Sequence, residues 1–85
     1  MREASNAVHV DFVLTELDLG ITFCELAQSA QDEETKERNI RNARKAYDAL
    51  HFLEGLNLSK AEQQLIKEKA SRLKSLLEQL GVNAD

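Results

Sequence analysis

The 85 residues, 42% of them hydrophobic, make one small domain (1–85) and are too apolar for a disordered segment. A net charge of -4 argues against nucleic acid as a partner, and apolar runs of only a few residues leave no membrane span and no signal-peptide core. One cysteine, Cys24, excludes an internal disulfide, and the chain reads as cytoplasmic.

Proline is absent, and apolar residues recur every three or four positions in three blocks; Gly55 and Gly81 stand where the second and third blocks stop. The spacing predicts an all-α fold, a three-helix antiparallel bundle with helices over about 6–31, 33–54 and 59–80 and both glycines at positive φ. Ser5 or Asn6 can cap the first helix. At 100° per residue, Phe12, Leu19, Phe23, Leu26 and Ala30 form one stripe; Val13, Leu17, Gly20, Cys24 and Ala27 form a second beside it. Val10, Leu14 and Ile21 widen the arc to roughly twice the ~100° that a surface helix needs. The first helix must therefore be covered on two sides, by two helices or by a partner subunit. Val10, Phe12 and Leu14, with Phe52 from the second block, are the residues expected to be left over, and they form the candidate subunit interface.

Two residues break this pattern. Glu16 points into the apolar arc, where an unpaired carboxylate costs several kcal/mol or takes up a proton. Gly20 costs roughly 1 kcal/mol inside a helix, so a packing reason is expected.

Asp32, Glu33 and Glu34 are acids at the start of the second helix, as the macrodipole favours. Its stripe is Ile40, Ala43, Ala46, Tyr47, Leu50 and Leu53, with Phe52 off it. Gly55 is the left-handed stop, and Leu56 can fold back on Leu50. Ser59 and Glu62 then have capping-box spacing. Ala61, Leu65, Ile66, Ala70, Leu73, Leu76, Leu77 and Leu80 make the third stripe, and Gly81-Val82 repeats the stop. Short connections force antiparallel neighbours. With a tight turn near Gln31, residues whose numbers sum to about 63 face one another, within a turn either way. Gly20 then faces Ala43 as a small-on-small helix crossing, Phe23 faces Ile40, and Glu16 faces Tyr47. Tyr47, Arg44 or His51 can satisfy Glu16 as a buried structural polar group.

Leu19-Gly20-Ile21-Thr22-Phe23 on one helix and Ala43-x-x-x-Tyr47-x-x-Leu50 on the next resemble a tetratricopeptide unit, which pairs a Leu-Gly-x-x-aromatic motif with an Ala-x-x-x-aromatic motif across a helical hairpin. The resemblance covers Glu16 to Gly55. Glu16 stands at the family's leading tryptophan position, Gly55 replaces its proline, and the hairpin is about eleven residues longer than the 34-residue unit. It implies a tetratricopeptide-like first hairpin with the third helix as a cap. Because such arrays generally need about three repeats, it also implies self-association or a repurposed hairpin. The strings Glu16-Leu17-Asp18-Leu19 and Ala43-Arg44-Lys45-Ala46-Tyr47-Asp48 also look like small bacterial helical proteins.

Chemistry is sparse. Cys24 lies in the apolar arc without a histidine at helical spacing and reads as a structural thiol. His51-x-x-Glu54 could ligate a metal only with carboxylates from other helices, and only Glu16 points inward. His9 and Asp11 give no second pair. No phosphate loop or nucleophile-base-acid set can be drawn, so neither catalytic, cofactor-binding nor metal-binding residues are expected. Arg38, Arg41, Arg44 and Lys45 line one side of the second helix, and Lys60, Lys67 and Lys74 add a stripe on the third. Interleaved acids make a solvated face the plainer reading; a nucleic-acid or phosphate-binding helper using the second helix is the alternative. The leading expectation is a non-catalytic protein–protein interaction module that self-associates, as a dimer or larger.

Overall fold

The computed structural model describes residues 2–82, with side chains from Val8 onward. In chain order they form α1 (Arg2–Ser29), α2 (Glu33–Asp48), a 3₁₀ segment (Ala49–Leu53) and α3 (Lys60–Gln79), with no strand among the described residues. The architecture is an all-α three-helix bundle. The backbone is already helical at Ser5 and Asn6, so α1 begins earlier than a cap at either would require. Their side chains lie outside the described residues.

Local signals explain the other helix ends. Asp32 is the N-cap of α2: its carboxylate accepts a 2.9 Å bond from the Thr35 N–H. That bond holds the Asp32 carboxyl below its usual pKa. At α3 the Ser59 hydroxyl accepts from the Glu62 N–H at 3.1 Å, and the Glu62 carboxylate accepts from the Ser59 N–H at 2.8 Å. Gly55 and Gly81 have φ of 80° and 84°. At the second stop the Val82 N–H donates to the Leu77 carbonyl at 2.9 Å, and Val82 packs against the core. The second block does not remain α-helical to residue 54. It tightens at Ala49 into the 3₁₀ segment before the Gly55 turn, a common way to close a helix C-terminus.

The core is a set of heptad seams. On α1 the buried residues are Val10, Val13, Leu17, Gly20, Cys24 and Ala27, spaced alternately three and four apart. α3 contributes Ile66, Leu73 and Leu77, with Ala70 and Leu80 partly buried against them. α2 contributes Asn39, Ala43 and Ala46, followed by Ala49. Successive helices run antiparallel, which makes α1 and α3 parallel. Asp18 with Lys69 and Gln28 with Gln79 join them at the same 51-residue separation. α1 packs most against α2, less against α3, and α2 and α3 touch least.

The orientation of α2 departs from the expected one. The columns 39–43–46 and 40–43–47 both fit helical spacing. The structure turns the first inward, leaving Ile40 and Tyr47 half-buried on a flank. Asn39 is the buried polar residue, and its Nδ2 donates to the Thr35 carbonyl at 3.1 Å. The rotation also changes the helix crossing. Gly20 lies against Ala46, within a turn of Ala43, and against Leu73; a Cβ on it would sit 2.9 Å from the Ala46 Cβ and 2.7 Å from Leu73 Cδ2. Ala43 is fully buried, one turn along. The small-on-small contact holds, with the third helix closing it from the other side.

Glu16 and Tyr47 are corrected by the same rotation. Both are half-buried, and neither side chain has a hydrogen-bond partner among the described residues. With Gly20 opposite Ala46, Glu16 comes level with Leu50 and Tyr47 with Leu19, so the two side chains no longer meet. A carboxylate at the flank keeps its water, and no buried bond is required of it.

Candidate interaction surface

Once six α1 residues are spent on the core seam, the helix still has apolar side chains left. Phe12, Leu19 and Leu26 recur at seven-residue spacing, roughly 130° round the helix from that seam. They are 45%, 44% and 48% exposed. Phe23 and Ala30 interleave with them half-buried, as does Glu16, so α1 carries a second seam with one carboxylate in it. Of the residues expected at a subunit interface, Phe12 and Phe52 are on this surface. Val10 is buried in the core and Leu14 is half-buried against it. Stepping by 100° puts both on the core side of α1, because Val10 begins the inward seam and Leu14 flanks it.

Phe52, 59% exposed, meets Phe12 edge-on, with ring centroids 5.5 Å apart and an interplanar angle of 90°. This contact fixes which edge of α2 borders the seam. Arg38 and Lys45 stand seven residues apart on one exposed edge of α2, on the side of Ala46 away from Ile40 and Tyr47. The Gly20–Ala46 contact sets Lys45 about level with Ile21 and Arg38 about level with Gln28, beside the Leu19–Leu26 stretch of the row. The apolar row therefore runs beside a row that is aromatic at one end and cationic along the rest. Arg41 and Arg44 continue the basic surface outward. All of Arg38, Arg41, Arg44 and Lys45 are exposed, and none is in an ion pair with an acid among the described residues.

The far edge of α1 is acidic and belongs to α3. Asp18 accepts a bond from Lys69 at 2.6 Å, and Glu25 lies 3.9 Å from Arg72. These pairs show that α3 packs on the side of α1 away from Phe12 and Leu19.

Compared with known protein families, curated proteins and solved structures, the chain matches none.

The remaining reactive groups do not assemble. Cys24 is fully buried, and burial with the neighbouring Glu25 charge pushes its thiol up to about 11. The His51 Nδ1 lies 2.9 Å from the Glu54 carboxylate, which raises the imidazole pKa; both groups are exposed. No group of three or more His, Cys, Asp or Glu suited to a metal ion occurs among the described residues. No described helix is long and apolar enough to cross a membrane. Leu19 and Leu26 were missed as surface residues although their seven-residue spacing was readable. Spacing separates two seams on one helix, but only packing shows which of them is covered.

Proposed function

We propose that this chain is a non-catalytic helical module for protein–protein contact that self-associates through the second seam of α1. The observation that carries this reading is the row Phe12, Leu19 and Leu26, half-exposed at coiled-coil spacing and continued by Phe52. A contiguous apolar row of this kind on a small domain marks a surface that another protein covers. On this reading the α1–α2 hairpin serves as a lone tetratricopeptide-like unit, α3 caps one face, and the partner takes the place of a neighbouring repeat in the cytoplasm. Light scattering at micromolar concentration tests it: a dimer or larger is expected, and a mass of 9.6 kDa would remove its support.

The exposed row Arg38, Arg41, Arg44 and Lys45, without an ion pair among the described residues, supports a second reading, a nucleic-acid or phosphate-binding helper. Affinity for random RNA that falls steeply with salt is what that reading expects. Salt-independent or absent binding would dispose of it.

A further inference from the structure

We infer that a second copy of this chain covers the α1 seam with its own α1 running parallel, the two-fold axis lying along the bundle, so that the acidic edge of each α1 faces the basic edge of the other copy's α2. This rests on the self-association proposed above and adds the geometry of the pair.

A two-fold axis in the interface plane has two simple settings on a helical seam. Set across α1, it makes the two helices antiparallel and lays each edge on its own counterpart. Asp11, Asp18 and Glu25 then face the same acids, and Arg38 and Lys45 face the same bases, which costs free energy on both sides. Set along α1, it exchanges the edges and preserves height. Arg38, level with Gln28, then stands within about one turn of Glu25 of the other copy, and Lys45, level with Ile21, within about one turn of Asp18. The offset, three residues or about 4.5 Å of helix rise, is within the reach of a lysine or arginine side chain. Asp18 and Glu25 already hold Lys69 and Arg72, yet their side chains remain 58% and 57% exposed and can accept a second cation. The parallel setting also sets Glu16, which shares the seam, against Glu16 of the other copy, one like-charge contact that costs free energy. Phe12, Leu19 and Leu26 meet their own counterparts, so one row of side chains serves both sides.

The experiment is sedimentation velocity with single-cysteine cross-linking on the full chain, where buried Cys24 stays out of the chemistry. Leu26→Cys and Thr15→Cys, tested separately, should each form an intermolecular disulfide under mild oxidation, because an antiparallel pair can set at most one of these two positions against itself. Thr22→Cys, a polar position on the same side, repeats the test without removing an apolar contact. Arg38→Glu with Lys45→Glu should raise the dimer dissociation constant about ten-fold at low salt, with a smaller effect at high salt and unchanged helicity. A monomeric wild-type chain overturns the self-association and this arrangement together. A dimer in which only one of residues 15 and 26 links, or neither, or which ignores the charge reversals, overturns the arrangement alone.

Discussion

Gly20 lies so close to Ala46 that a Cβ at residue 20 would sit 2.9 Å from the Ala46 Cβ, closer than two such carbons approach. Ala46 cannot yield without moving its backbone, and Leu73 crowds the same point from α3 at 2.7 Å. Gly20→Ala adds roughly 1 kcal/mol of helix propensity, yet overpacking costs about 1–3 kcal/mol. The expected result is net destabilisation, read as a fall of several degrees in the melting temperature. A more stable variant would show that the three helices can spread at this point.

Glu16→Gln should leave stability within about 0.5 kcal/mol of wild type in urea denaturation, because the carboxylate has no hydrogen-bond partner among the described residues. Glu16→Leu should tighten self-association by completing the second seam. A loss above about 1 kcal/mol for Glu16→Gln would point to a bond absent from this arrangement.

Phe12 and Phe52 should be energetically coupled. A double-mutant cycle to alanine is expected to give about 0.5–1 kcal/mol, the range for edge-to-face pairs, at the lower end because both rings are half-exposed. Additive effects would mean that the rings touch without holding the hairpin's open end.

Cys24 should resist thiol reagents at pH 8 in the folded chain and react at once in denaturant. Its folded pKa, about 11, lies above the ordinary 9.0, so its contribution to stability is present below pH 9 and is lost as pH rises from 9 to 11. Comparing the alkaline slope of stability in wild type and Cys24→Ala isolates this term. Equal slopes would mean that the thiol is hydrated in the native state.

Ser59→Ala removes one bond of the α3 capping box and should cost about 1 kcal/mol, measured by chemical denaturation. No change would show that the Glu62 carboxylate alone holds the first turn.

What the sequence discloses here depends on how local the cause is. Ser59 with Glu62, Asp32 with Thr35, and Gly55 and Gly81 act within a few residues, so the helix starts and stops could be read directly. The rotation of α2 could not, because Ile40 and Tyr47 make as good a stripe as Asn39 and Ala46. The choice is made by α1 and α3, which together need Ala46 to be small where Gly20 and Leu73 converge. The candidate surface was half legible for the same reason. Phe12 and Phe52 stand out from spacing alone, whereas Leu19 and Leu26 belong to a stripe whose covering depends on the turn of a neighbouring helix.

The constant separation between α1 and α3 has a topological consequence. Since the outer two helices point the same way, the chain enters the bundle at one end and leaves it at the other. A circular permutant cannot be closed by a short loop: its linker must run back along the bundle to the start of α1, about 40 Å, which takes some twelve or more extended residues. For the same reason, copies fused end to end would extend along the bundle axis into a rod, each unit presenting its Phe12 row at a fixed step.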